Sequence, residues 1–308
     1  MTNRAFRIHA FGGPDVLQAE EILIPEPGVG EVVVAVKAAG VNQLDWKFLE
    51  EMVRGFSIPF PVTLGVEFAG VVSQTGEGVD GFVVGDRVMG FLHGLGAYTD
   101  NLKVGASLLA RIPEELTDVQ AAALPIALTT AWQALHVAGE LDRGASVLVH
   151  GAAGVVGSIA VQLAKAAGAF VAATASRANL DYVATLGADL VIDYGAERFE
   201  DRVGPVDLVL DLVGGETLDR SWSVLSSRGA IASAAQFDIV QRTPSGARAF
   251  WVMAQPDPAL LERLAGEVVA GRLRSTIAEV FATSDLASAI ESTRRTRKPG
   301  KTVIDFMR

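Results

Sequence analysis

The chain has no cysteine. That single absence removes disulfides, cysteine nucleophiles and every thiolate metal site. Nor does any uninterrupted apolar run reach the roughly eighteen residues that would suggest a membrane span. The opening stretch MTNRAFRIHAFGG lacks the apolar core of a secretory signal, so a soluble cytoplasmic protein is expected. Positive charge is in deficit: 26 lysines and arginines against 36 acidic residues leave a net −10, which offers no basic footprint for nucleic acid. Internal repeats and low-complexity segments are also missing. What remains is a 308-residue chain that is half hydrophobic, long enough for two domains and a large core.

The most informative stretch is SVLVHGAAGVVGSIAVQLAKAAG, residues 146–168. Ser146–His150 has the length and apolar character of a strand, Gly151–Gly157 is a turn of small residues, and Ser158–Ala167 reads as a helix stopped by Gly168. Strand, glycine-rich turn and helix in that order form the phosphate-binding start of a Rossmann unit. The turn lets backbone N–H groups approach a pyrophosphate, and the helix N-terminus adds unpaired donors and partial positive charge. Ala152, Gly154 and Gly157 fill the three small positions.

Strand and helix signals alternate after the turn. Strands are expected at Phe170–Thr174, Leu190–Ile192, Val206–Val213 and Ala230–Ala234, with helices at Asn179–Leu186 and Glu216–Ser226, the latter ended by Arg228-Gly229. Their apolar runs imply a parallel sheet buried on both faces. Before the turn the pattern differs: many short strands with glycine turns and little helix suggest a partly closed barrel. A last strand at Thr302–Phe306 is expected to rejoin that barrel. The basic run Arg294–Lys298 reads as a solvated helix end, where cations suit the dipole.

The end of the second Rossmann strand selects the cofactor. An NAD site places an acid there to hold the ribose 2′-hydroxyl. The stretch Thr174-Ala175-Ser176-Arg177 has none; it offers a hydroxyl and a guanidinium, which suit a 2′-phosphate. NADPH is the expected cofactor, with Ser176 and Arg177 in contact with it.

Several segments, read together, have a familiar order: A-G-V-N-Q-L-D-W-K, L-G-V-E-F-A-G-V-V, V-G-D-R-V, L-T-T-A-W-x-A-L and H-G-A-A-G-V-V-G. They resemble the medium-chain dehydrogenase/reductase superfamily, and within it the zinc-independent quinone oxidoreductase branch, the zeta-crystallin-like reductases. The resemblance implies an α/β protein: a Rossmann doubly wound parallel sheet plus a GroES-like, partly open β-barrel domain. The expected division is 1–121 with 257–308 for the GroES-like domain and 122–256 for the Rossmann domain, with NADPH in the cleft between them. It also implies a homodimer, partly through the apolar strand around Trp251, and a small-molecule acceptor.

Zinc-dependent relatives carry cysteine, histidine and cysteine where this chain has Asn42, Val66 and, near the third position, Ile126. No metal is therefore expected. Without a Lewis acid, reduction of an electron-poor quinone or enone is favoured over alcohol oxidation. Asn42 reads either as an amide serving nicotinamide, substrate carbonyl or water, or as a turn asparagine; the resemblance supports the first. Asp45 reads as a turn or helix cap, and Tyr98 as a packed tyrosine, with a catalytic acid as its alternative. Lys47 stands where some relatives keep a proton-relay histidine, and is a weak catalytic candidate beside its plainer reading as a surface lysine. Trp46 and Trp251 are candidate pocket walls, with barrel packing and interface packing as their respective alternatives.

By the same resemblance the cofactor set comprises Thr130, Ala152, Gly154, Val155, Val156, Gly157, Ser176, Arg177, Tyr194, Val213 and Ala235. Val155 replaces the family's usual glycine, which is tolerable if it already lies in the first helical turn. The activity implied is NADPH-dependent reduction of quinones or α,β-unsaturated carbonyls. The alternatives are an enoyl-thioester reductase and an NADPH-binding protein with a structural or regulatory role.

Overall fold

A computed structural model describes residues 2–52, 59–295 and 298–308. In chain order the first part holds β1 (Thr2–Ile8), β2 (Gln18–Leu23), β3 (Glu31–Val41), α1 (Gln43–Leu49), β4 (Val62–Thr63), β5 (Glu67–Thr75), β6 (Arg87–Phe91), β7 (Asn101–Gly105) and β8 (Leu109–Arg111). Next come α2 (Asp118–Ala122), α3 (Pro125–Gln133), β9 (Ser146–Val149), α4 (Val155–Ala166), β10 (Phe170–Ala175), α5 (Leu180–Thr185), β11 (Leu190–Asp193), β12 (Val206–Asp211), α6 (Gly215–Ser221), β13 (Leu225–Ser233), α7 (Ile239–Arg242) and β14 (Arg248–Trp251). The chain returns through α8 (Pro258–Val269), β15 (Ile277–Ala282), α9 (Leu286–Arg295) and β16 (Lys301–Asp305).

Strands β9–β14 form one six-stranded sheet in the order β11-β10-β9-β12-β13-β14, with every neighbouring pair parallel. Consecutive side chains on a strand point to opposite faces, and both faces of this sheet are covered. Val147 and Val149 enter one core cluster with residues of α3, α4 and α8, while Leu148 enters another with Leu218 and Ile239. This explains why β9 and β12 read as continuous apolar runs rather than alternating ones.

The second sheet runs β15-β16-β3-β5-β6-β8, with β7 also on β3. β16 pairs antiparallel with β3, Thr302 opposite Val41, so the C-terminal strand does rejoin the first part of the chain. A third sheet, β2-β1-β4, completes the GroES-like part. Arg87 ties this part to the start of α2: its guanidinium donates to Asp118 at 2.6 Å and to the Leu116 carbonyl at 2.7 Å. The stretch Asp118–Ala138 has the length and apolarity of a membrane span, but 67% of its most apolar window is buried inside the protein.

Four sequence expectations need correction. Helix α4 begins at Val155, three residues before Ser158. The strand expected over Val206–Val213 stops at Asp211, where the aspartate side chain turns the backbone. Helix α6 ends at Ser221; after one further 3₁₀ turn, Arg228 and Gly229 lie inside β13 rather than at a helix stop. Gly229 is there because a Cβ would stand 2.8 Å from the Val206 carbonyl oxygen. β15 was not foreseen. Of the basic run, Thr296 and Arg297 lie outside the described residues, Arg294 pairs with Glu50 and Lys298 with Glu279.

Candidate active site between the two sheets

The phosphate-binding turn is built by contact as much as by conformation. Gly151 has φ +72°, a left-handed value that side chains resist. Gly157 lies so close beneath the turn that a Cβ would stand 2.3 Å from the Gly151 carbonyl oxygen and 2.8 Å from Ala152 Cα. Gly154 is the N-cap of α4 in extended conformation, with φ −71° and ψ 172°. Val155 is therefore the first helical residue, and the branched side chain replaces glycine without backbone strain. Gly154 is exposed, Val155 and Val156 are half-buried, and Ala152 is fully buried, its N–H donating to the Thr174 carbonyl at 3.2 Å. The first-turn amides of a helix lack intrahelical acceptors, so α4 presents donors beside the exposed Gly154.

At the end of β10, the Ser176 hydroxyl oxygen is buried and has no hydrogen-bond partner. A buried unpaired hydroxyl costs on the order of 1–3 kcal/mol, which a bound polar group would relieve. The Arg177 side chain is 85% exposed and reaches Asp193 Oδ2 at 3.9 Å. Tyr194 is exposed beside it. Asp193 was not singled out in the sequence; it ends β11, and its other oxygen accepts the Gly195 N–H at 3.0 Å. These residues and the α4 N-terminus have the chemistry to hold the phosphates of a nicotinamide dinucleotide.

The GroES-like part holds a buried cluster of charge where it meets α3. Lys301 is only 2% exposed and Glu67 is fully buried, and the two form an ion pair. The Lys301 ammonium also donates to Asn42 Oδ1 at 2.5 Å, and Asn42 Nδ2 donates to Glu67 Oε1 at 2.9 Å. Glu67 Oε2 accepts the Ile126 backbone N–H at 2.9 Å, at the start of α3. Glu67 thus joins β5, β16 and the first helix of the Rossmann part through one carboxylate. Space for it is made at Gly40, where a Cβ would stand 2.5 Å from Glu67 Oε1. A carboxylate and an ammonium can both be buried here because each has its opposite charge and further hydrogen-bond partners.

Asp45 lies alongside, fully buried. Its Oδ2 accepts the Asn42 N–H and the Tyr98 hydroxyl, both at 2.7 Å, while Oδ1 has no partner. Burial pushes the Asp45 carboxyl up to about 6, against the opposing pull of these two donors and of Lys301. Burial and the neighbouring Asp45 also push the Tyr98 hydroxyl well up. The capping role expected of Asp45 and the packing role expected of Tyr98 are both present. Asn42 is more occupied than expected, with both ends of its amide engaged in the cluster. Of the three positions that the resemblance matches to zinc ligands, Asn42 and Ile126 both donate to Glu67, through a side-chain amide and a backbone N–H, and Val66 directly precedes it.

Trp46 and Lys47 sit on the next turn of α1. Both are half-buried, Lys47 Nζ lies 5.8 Å from the Trp46 ring centroid, and Arg294 covers the same ring at 5.2 Å. Burial lowers the Lys47 pKa. Thr130 is buried in α3 next to Thr129, whose hydroxyl has no partner. Val213 is exposed and Ala235 half-buried on the loops after β12 and β13. Trp251 occupies the edge strand β14, opposite Ser233. Among the described residues no group of three or more His, Cys, Asp or Glu is placed to hold a metal.

Glu67 and Lys301 escaped the sequence reading. Their signal was one charge inside the apolar run LGVEFAGVV and another directly before TVIDF, charges that burial would force into partnership.

Comparison with known proteins agrees with this architecture. The alcohol dehydrogenase GroES-like domain family matches residues 28–114, and the zinc-binding dehydrogenase family matches residues 186–304. The NADPH-dependent alkenal/one oxidoreductase of Arabidopsis thaliana is 34% identical over 307 residues, covering 96% of this chain and 77% of its own. The 2-methylene-furan-3-one reductase of Solanum lycopersicum is 37% identical over 222 residues and 68% of this chain; the match spans 57% of that protein's length. The quinone oxidoreductase structure from Coxiella burnetii superposes with a TM-score of 0.92 at 32% identity, over 99% of both chains. The chain belongs to the medium-chain dehydrogenase/reductase superfamily, and its fold and relatives fit the quinone oxidoreductase, zeta-crystallin-like branch.

Proposed function

We propose that this protein is an NADPH-dependent reductase of quinones or α,β-unsaturated carbonyl compounds, acting without zinc. The observation that carries the reading is the composition of the two half-sites. One is a glycine turn flanked by Ser176, Arg177 and Tyr194 with no acid at the end of β10; the other is an ammonium–carboxylate–amide cluster where zinc-dependent relatives keep their ligands. NADPH supplies the hydride when bound. The chain's contribution is to hold the pyrophosphate at α4 and the 2′-phosphate at Ser176 and Arg177, and to shape a dry cleft beside Asn42. Thr130, Val213 and Ala235 lie on the nicotinamide side in this reading, and Trp46 walls the acceptor pocket. The domain division falls at 121/122 and 256/257. Two chains associate along the edge strand β14, where Trp251 is exposed on the strand and Met253 two residues beyond its end.

Arg177→Ala tests the cofactor assignment. Losing one charged hydrogen bond costs roughly 1.5–3 kcal/mol, so NADPH is expected to bind about ten- to a hundredfold more weakly with NADH nearly unchanged. Equal losses for the two nucleotides, or a wild type that prefers NADH, would refute it. Asp193 shares Arg177 in the free protein, which places the expected effect toward the lower end.

A further inference from the structure

One buried pair, Asp211 and Ser233, ties together the loops at the carboxyl ends of β12 and β13. Both residues are fully buried. Asp211 Oδ1 accepts the N–H of Val213 at 3.1 Å and of Gly214 at 2.8 Å, and Oδ2 accepts the Ser233 hydroxyl at 2.6 Å. Ser233 Oγ in turn accepts the N–H of Ala235 at 3.2 Å and of Gln236 at 3.0 Å. The phosphate-binding turn closes on the same place, since a Cβ on Gly151 would meet Leu212 Cβ and Val213 Cγ2 at 3.4 Å.

This carboxylate is satisfied by hydrogen bonds and not by a counter-charge. Among the charged groups nearby, Arg220 is spent on Glu200, which it grips with two bonds of 2.7 and 2.6 Å. His150 is held neutral by burial, its pKa pushed down to about 4. Among the described residues, Asp211 makes no ion pair, so hydrogen-bond donors alone hold its charge.

Its place in the fold gives that charge a target. In a doubly wound sheet the dinucleotide lies across the carboxyl ends of the strands, spanning the switch point, here between β9 and β12. The candidate 2′-phosphate contacts end β10, on one side of β9. The nicotinamide half therefore falls on the other side, over the ends of β12 and β13. Hydride departure, two electrons and one proton moving to the acceptor, converts the neutral nicotinamide ring into a cation. A fixed negative charge beneath it interacts with the two redox states unequally.

We propose that Asp211 is an electrostatic positioning residue. Its buried carboxylate favours the oxidised over the reduced nicotinamide, making bound NADPH a stronger hydride donor, while its bond to Ser233 sets the two loops that face the ring. This rests on the NADPH reading above. The test is equilibrium titration of NADP⁺ and NADPH, by calorimetry, into wild type, Asp211→Asn, Asp211→Ser and Ser233→Ala. Asparagine keeps the acceptor for the two loop amides and removes the charge; serine removes the charge with a different shape. Both are expected to weaken NADP⁺ relative to NADPH by about three- to tenfold, the scale of one lost charge under moderate screening. Ser233→Ala keeps the charge and is expected to weaken both nucleotides by the same factor. If wild type binds both nucleotides and neither Asp211 variant moves the ratio, Asp211 is only structural and this proposal fails alone. A wild type that binds neither nucleotide overturns the NADPH reading and this proposal with it.

Discussion

Replacing Glu67 with glutamine leaves its shape almost unchanged and removes one charge. The consequences follow from what surrounds it. Glutamine can still accept the Ile126 N–H through its carbonyl oxygen, so the tie to α3 survives. The Lys301 ammonium, however, is 2% exposed and among the described residues keeps only Asn42 Oδ1 as a bonded acceptor. Removing one partner of a buried ion pair typically costs about 3–5 kcal/mol, because the other charge is left unpaired. Asp45, whose carboxyl feels both Lys301 and Glu67, offsets part of this, so a loss near the lower end is expected. Lys301→Met alone should cost a similar amount by stranding Glu67. The double variant is the informative one. With both charges gone, the cavity holds an amide and a thioether, and its stability should recover to within about 1–2 kcal/mol of wild type. Urea unfolding of the four proteins, compared at constant m-value, measures the coupling directly. Single losses that simply add in the double variant would show that the pair is not the electrostatic unit described here.

Three further outcomes are expected. Gly157→Ala should lose about 1–3 kcal/mol by overpacking and weaken NADPH and NADH alike, because the new Cβ meets backbone atoms of the turn; calorimetric titration showing unchanged affinity would contradict it. His150 is buried between Thr174 and Ser221, at 3.1 and 3.0 Å, and its folded pKa lies below its unfolded value. Its contribution is thus complete above about pH 6.5 and lost as pH falls toward about 4, up to roughly 3 kcal/mol in all. Urea midpoints across that range should fall more steeply for wild type than for His150→Gln, and parallel curves would refute the assignment. An exposed apolar edge strand needs a partner, so light scattering should give a dimer at micromolar concentration, and Met253→Asp should shift it toward monomer; a monomeric wild type would remove β14 as an interface.

The parts of the fold that were legible are those where a local pattern and burial agree. β9 and its turn stand out because a strand covered on both faces must be apolar throughout, and Gly151 and Gly157 are each required by geometry. The start of α4 was misplaced because Val-Val-Gly in a first helical turn looks like more turn. The first residues of β13 are partly exposed and carry no alternation, so Gly229 read as a helix stop, although its real constraint is the Val206 carbonyl across the sheet. The site divided in the same way. Asn42 and Arg177 lie in recognisable segments. Glu67, Lys301, Asp193, Asp211 and Ser233 act through partners on other strands, and pairing between distant segments leaves little local trace beyond a lone charge in an apolar run.

In the proposed function this chain passes hydride from NADPH to an electron-poor acceptor without a metal. The most direct measurement is NADPH consumption by purified protein with a small panel of quinones and α,β-unsaturated carbonyls, in the presence and absence of a strong chelator, alongside elemental analysis. Turnover of at least one class that is indifferent to chelation, with no stoichiometric zinc, is the predicted result. NADPH binding without turnover of any acceptor, or activity that depends on about one tightly held zinc per chain, would contradict it.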